Sequence, residues 1–203
     1  MLKSTRRHTK YWTDRKIDWD KAYTATANHP HRDVLMHLLS KLKFESLLEL
    51  GCASGPNLLR INKLWPHVEI GGTDISKDAV ATAQKNMPGK MFKVAPAHKV
   101  FMSDNSTDIV LTDMCLIYYG PTKIKKALRE AKRLARKHIV LFEFHSDKLY
   151  NRLALRWDTG YYAYNYVNLL EGLGCYDVQA IKMPREVWGE PQQSFGHYII
   201  ASV

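Results

Sequence analysis

The chain predicts a doubly wound α/β fold, a seven-stranded and mostly parallel sheet behind an N-terminal arm, on three observations. The first is an apolar run, a small-residue loop and a helix start that follow one another directly between Ser46 and Leu64. The second is Asp74, an acid that closes the next apolar run about 20 residues beyond that loop. The third is the alternation of strand-sized and helix-period segments as far as Phe144, followed by two closing strands that suit an antiparallel pair.

Residues 1–31 read as an arm. Lys3, Arg6, Arg7, Lys10, Arg15 and Lys16 are interleaved there with Tyr11, Trp12, Trp19 and Tyr23. That pattern suits a lid over a ligand, a single-stranded nucleic-acid contact made by stacking and charge, or a solvated tail anchored by its tryptophans. His29-Pro30-His31-Arg32 is a break; its two histidines lack further metal-type neighbours and read as a structural loop. After Asp33, a candidate cap, Val34, Leu35, Leu38, Leu39 and Leu42 recur at helical spacing and begin the core, residues 32–203.

Ser46–Leu50 is short and apolar, as a strand covered on both faces must be. Residues 51–55 are small, so that backbone can approach a ligand closely. Pro56 has the φ of a first helical turn, and Leu58, Leu59, Ile61 and Leu64 continue that helix. Residues 68–74 form the second strand, Ser76 caps a helix stopped by Pro88-Gly89, and Met91–Val94 is the third strand. Residues 108–113 are the fourth strand and 123–137 a helix with Ile124, Ala127, Leu128, Ala131 and Leu134 as its apolar stripe. Its other side carries Lys123, Lys125, Lys126, Arg129, Lys132, Arg133, Arg136 and Lys137 beside the lone acid Glu130, a solvated face or a surface for an acidic partner. Residues 138–144 are strand five and 146–160 a polar, basic and aromatic insertion. A helix over 161–170, ended near Gly174, leads to closing strands over 176–183 and 195–203.

At 203 residues the chain fits one domain, and 45% hydrophobic with 25% charged residues is ordinary for a globular protein. The apolar stretches are strand-sized, so no membrane span is expected, and the basic N-terminus has no apolar run behind it as a secretory signal would. Cys52, Cys115 and Cys175 are odd in number and widely spaced, which points to a reducing compartment, the cytoplasm, and to no zinc site. The net charge of +10 suits nucleic acid, an anionic surface or an acidic substrate.

The loop Glu49-Leu50-Gly51-Cys52-Ala53-Ser54-Gly55 resembles the first motif of class I, Rossmann-like S-adenosylmethionine-dependent methyltransferases, E/D-x-G-x-G-x-G, with Ala53 at the middle glycine. Asp74 and the stretch from Asp108 to Tyr118 extend the resemblance over residues 32–203. It implies S-adenosylmethionine as cofactor, S-adenosylhomocysteine as product, and Glu49, Gly51, Cys52, Ala53, Gly55, Asp74, Ile75 and Asp113 around the cofactor, with Asp74 on the ribose hydroxyls. The family's acid after the third strand is missing; the segment reads Val94-Ala95-Pro96-Ala97-His98, which leaves backbone near Ala97, or His98, for the adenine.

Methyl transfer from a sulfonium is an in-line displacement whose leaving group needs no proton, so positioning in a dry site is the main requirement. A base helps only where the acceptor must lose a proton. Asp113 and His145 are the candidates for base or orienter, Tyr118 for the acceptor wall, with Tyr119 and Glu143 also eligible by position. No N/D-P-P-Y tetrad or Pro-Cys pair follows strand four, which argues against adenine, cytosine and glutamine amino-methylation and against a cysteine-nucleophile route through Cys115. The resulting expectation is methyl transfer to an O or N atom of a small molecule. Alternatives are an RNA acceptor held by the arm and the basic helix, and a non-catalytic member that binds cofactor or a partner.

Overall fold

A computed structural model describes the backbone of residues 5–203 and the side chains of residues 10–22 and 26–203. Lys3 and the side chains of Arg6, Arg7 and Tyr23 lie outside the described residues. The arm is two helices, α1 (Thr5–Asp14) and α2 (Trp19–Ala27), the second capped by the Asp18 carboxylate, which accepts from the Lys21 N–H. α2 lies against the two helices that flank the glycine loop, so the arm covers the site.

After α3 (His31–Leu39) the core runs β1 (Ser46–Leu50), α4 (Pro56–Leu64), β2 (Glu69–Asp74), α5 (Lys77–Asn86), β3 (Met91–Val94), β4 (Thr107–Asp113), α6 (Pro121–Leu134) and β5 (Ala135–Phe144). Then come α7 (Leu149–Thr159), α8 (Tyr166–Glu171), β6 (Tyr176–Lys182), α9 (Gln192–Phe195) and β7 (Gly196–Ser202). The strands form one sheet in the order β3-β2-β1-β4-β5-β7-β6, with β7 antiparallel to both neighbours and the others parallel. The doubly wound expectation holds.

Because side chains alternate along a strand, neighbours in sequence face opposite layers. Leu47, Ile109 and Phe142 pack under α3, α4 and α5 with Leu35, Leu58 and Val80, while Leu48, Val110 and Leu141 pack with Leu128 of α6 and Tyr166 of α8. Each such fully buried aliphatic side chain contributes about 1.5–3 kcal/mol. β1 and β4 run parallel, but strand order reverses between them, the chain adding β2 and β3 on one side and β4 and β5 on the other, which opens the crevice at their carboxyl ends where α/β proteins bind ligands.

Three segments differ from the sequence reading. The basic helix stops at Leu134, and Arg136 and Lys137 lie on β5, where Ala135 pairs with Thr107 and both cations reach the Asp108 carboxylate at 2.8 and 2.9 Å. Tertiary pairing overrides helical propensity there. Lys132 donates to the Leu173 carbonyl and Arg133 bridges Glu130 and Asp104, so half of the eight basic groups brace the fold instead of facing a partner. Residues 146–160 contain the helix α7, and residues 161–165 run extended instead of helical: the Ser146 N–H donates to the Tyr164 carbonyl and the Tyr164 N–H to Phe144. Among the described residues no helix is long and apolar enough to cross a membrane.

Candidate functional site

The glycine loop follows β1 as a sharp turn. Gly51 (φ 78°) and Gly55 (φ 81°) are left-handed, and a Cβ on Gly51 would lie 2.4 Å from Cys115 Sγ, so only glycine fits there. Ala53 is left-handed too (φ 49°), which explains why a glycine is the usual occupant of that position in the resembling motif. The Gly51 and Cys52 N–H groups donate to the Thr73 carbonyl, which ties the loop to β2. Asp74, at the end of β2, accepts from the Ala53 N–H (2.9 Å) and the Ser76 N–H (2.8 Å), one on each oxygen. Each oxygen keeps a lone pair for a ligand hydroxyl. Burial raises the Asp74 carboxyl, against the pull of its backbone donors.

Behind the loop a polar chain crosses the crevice floor. Asn57 Nδ2 donates to Glu49 Oε1 (2.7 Å) and Asp113 Oδ2 (2.9 Å), and His31 Nε2 donates to the same Asp113 oxygen (3.0 Å). The Asp113 carboxylate fixes the amide's orientation, because an acceptor-only group can face only its NH₂ end. Burial pushes Glu49 up to about 8. Burial also raises Asp113, but His31, by charge and hydrogen bond, with Arg32 and Asn57, holds its carboxyl below the ordinary value. Glu49 Oε2 and Asn57 Oδ1 are buried without a protein partner.

These residues line one cavity of about 660 Å³. Val94, Ala95, Pro96, Ala97 and His98 close its far end, while Trp12, Trp19, His29, Trp188 and Tyr118 wall the end under the arm. At the far end the Ala97 N–H is already committed to Tyr119 Oη (3.1 Å), whereas His98 Nδ1 is buried and unpartnered. Burial and the nearby Lys123 and Lys126 lower His98, so its ring is neutral.

The comparisons with known proteins agree with this geometry. Residues 47–138 match a family model described as a methyltransferase domain. Those residues are a methyltransferase domain. Among solved structures, a putative O-methyltransferase from Nostoc punctiforme superposes with a TM-score of 0.71 at 15% identity, over 91% of this chain and 60% of that one. Magnesium protoporphyrin IX methyltransferase from Synechocystis, solved with bound S-adenosylmethionine, gives 0.62 at 14% identity, over 98% and 89%. The whole chain thus has the class I methyltransferase fold. A curated relative, an uncharacterised protein of transposon TN4556 from Streptomyces fradiae, is 29% identical over 121 residues, 58% of this chain. The chain spans about a third (34%) of that protein's length.

A methyltransferase domain of this class takes its methyl group from S-adenosylmethionine, and the cavity fits that cofactor. Its volume is in the range of small-molecule sites, Asp74 has lone pairs to offer a ribose, and unpartnered acceptors lie on Glu49 and Asn57. Of the residues expected around cofactor and acceptor, Glu49, Gly51, Cys52, Ala53, Asp74, Ile75, Ala97, His98, Asp113 and Tyr118 all line this cavity, and Gly55 shapes the glycine loop. Cys115 also lines it, as a thiol that burial pushes well above its usual range. His145 does not: its Nδ1 accepts from the Tyr166 N–H, its ring lies 4.9 Å from His197, and it borders a separate cavity with Ser146 and Asn151. Glu143 is buried beneath the turn after β4. Sequence reasoning missed Asn57, His29, His31 and Trp188. A polar residue one position after Pro56, in a turn otherwise buried, was the available signal for Asn57; the histidine pair was visible, but its partner was not.

Proposed function

We propose that this methyltransferase domain moves a methyl group from S-adenosylmethionine to an oxygen or nitrogen atom of a small-molecule acceptor. The observation that carries the reading is the single cavity with two unlike ends: a glycine loop with Asp74 at one, and an aromatic chamber under the arm at the other. The chamber is lined by aromatic side chains, which suits a small acceptor, and the Synechocystis enzyme is itself named for a small-molecule acceptor. We place the protein in the cytoplasm on its three unpaired cysteines. The cofactor supplies an electrophilic methyl; the chain's part is to orient it. Asp74 would accept the ribose hydroxyls, His98 a polar edge of the adenine, and Glu49 with Asn57 the ammonium of the methionine end.

Calorimetric titration with S-adenosylmethionine and S-adenosylhomocysteine tests the site, with a dissociation constant on the order of 1–100 μM expected. A screen of hydroxylated and amino small molecules for S-adenosylhomocysteine formation tests the reaction. No binding of either ligand removes the function; methylation of RNA but of no small molecule replaces the acceptor.

Binding should also release a proton. Glu49, raised to about 8, is mainly protonated at pH 7, and an ammonium placed beside it favours the ionised form. Release is therefore expected near pH 7 and should fade above about pH 9, as Glu49 is then already ionised. Calorimetry in two buffers of different ionisation heat measures it, and a heat independent of buffer contradicts the ammonium assignment.

A further inference from the structure

We infer that His29, His31 and Asp113 form a proton relay that deprotonates an aromatic hydroxyl, so that the acceptor is a phenol or a hydroxylated heteroaromatic. The inference rests on the reading of the cavity as a cofactor-and-acceptor site. The geometry is a chain of three groups. Asp113 Oδ2 accepts from His31 Nε2 at 3.0 Å, and His31 Nδ1 faces His29 Nδ1 at 2.7 Å, close enough to share one proton. His29 Nε2 has no protein partner among the described residues, and His29 lines the cavity. Trp188 covers the His29 ring at 4.1 Å and the His31 ring at 4.7 Å, and Phe142 stacks on His31 at 5.3 Å, so neither ring is free to turn away.

The proton path balances. With Nδ1 of His29 protonated, its Nε2 carries a lone pair and takes the proton of the acceptor hydroxyl. The Nδ1 proton passes to His31 Nδ1, which makes His31 an imidazolium with both nitrogens donating, one of them to the Asp113 carboxylate. The His31 backbone N–H, 3.4 Å from His29 Nδ1, points at that nitrogen and stabilises it as an acceptor in this second state. The acceptor oxygen forms its bond to the methyl carbon as the carbon–sulfur bond breaks, and the electron pair leaves with sulfur. His29 is thus the catalytic residue; His31 and Asp113 position and balance it, as the aspartate of a serine-protease triad does for the histidine that takes the proton. Burial, then the neighbouring His31 and Arg32, lower His29 while Asp113 raises it, so the ring is neutral and able to accept a proton at neutral pH.

Charge selects the acceptor class. Arg32 lines the cavity beside His31, and the relay adds a second positive charge there when it works. An oxyanion left by a hydroxyl offsets that charge, whereas an ammonium acceptor would add to it. Shape selects the ring: Trp12, Trp19, Trp188 and Tyr118 are flat walls, and the Trp12 and Trp19 indole N–H groups are buried without a partner.

The test uses 4-nitrophenol, whose phenol and phenolate forms absorb differently, titrated into the protein alone and into the protein saturated with S-adenosylhomocysteine. The pH is set about one unit below the probe's own pKa, where about a tenth of the free probe is ionised. Bound probe that is at least fivefold enriched in phenolate is expected. His29→Ala and His29→Gln should return it to the solution ratio while S-adenosylhomocysteine affinity stays within twofold. Asp113→Asn should lower the phenolate enrichment without abolishing probe binding, and an unchanged enrichment removes Asp113 from the relay. A solution ratio in the unsubstituted protein, enrichment that survives both His29 variants, or failure of the probe to bind overturns the relay. Failure to bind S-adenosylhomocysteine, with the probe still ionised by His29, instead overturns the methyltransferase reading.

Discussion

Asp74→Ala is expected to lower affinity for S-adenosylmethionine by at least about 30-fold, because three losses coincide. A carboxylate that accepts ligand hydroxyls contributes about 1.5–3 kcal/mol through charged hydrogen bonds, and each 1.4 kcal/mol is tenfold in affinity. The same carboxylate also holds the Ala53 and Ser76 N–H groups, so its removal frees both the glycine loop and the start of α5. Without that anchor Ala53 has less to keep it in its left-handed conformation. Asp74→Asn, which keeps the shape, should fall between the two. Calorimetry measures all three proteins, and an affinity for Asp74→Ala within threefold of the original removes the ribose assignment.

Glu143→Ala should cost on the order of 3 kcal/mol or more of folding stability. The side chain is fully buried, and Oε1 accepts from Thr112 Oγ1 (2.8 Å) and the Cys115 and Leu116 N–H groups (3.0 and 2.9 Å), while Oε2 accepts from the Ile117 N–H (3.1 Å). It staples the turn that carries Tyr118 into the chamber. Alanine leaves those three backbone N–H groups buried and unmatched, at about 1–3 kcal/mol each. Urea unfolding measures the loss; a change below about 1 kcal/mol means water replaces the carboxylate and the turn does not depend on it.

What could be read from the sequence was what neighbours in the chain determine. Glu49, the glycine loop and Pro56 are consecutive, so strand, turn and helix could be placed together, and Asp74 followed from the length of one βα unit. Met91–Val94 was legible for the same reason: turn residues bound a short apolar run. The basic run 123–137 misled because propensity cannot see that Thr107 waits 28 residues upstream to pair with Ala135. The acceptor end was illegible on the same ground. His31 meets Asp113 across 82 residues and Asn57 meets it across 56, so neither pairing leaves a local trace. His145 and Glu143 ended strand five as expected, but strand position alone does not say which way a side chain turns: one faces a neighbouring hollow and the other the interior.

One oxygen, Asp113 Oδ2, receives both Asn57 from the cofactor end and His31 from the acceptor end. A single atom therefore belongs to two binding equilibria. A ligand that draws Asn57 toward Glu49 leaves that oxygen more available to His31, and a proton taken up by His31 draws it the other way. On the proposed reading the two occupancies are linked, and linkage is reciprocal: whatever factor the cofactor product applies to acceptor affinity, the acceptor must apply to the product. Linkage of this kind sets no order of entry, since either ligand prepares the site equally for the other, but it makes the departing product sensitive to whether the chamber has already emptied.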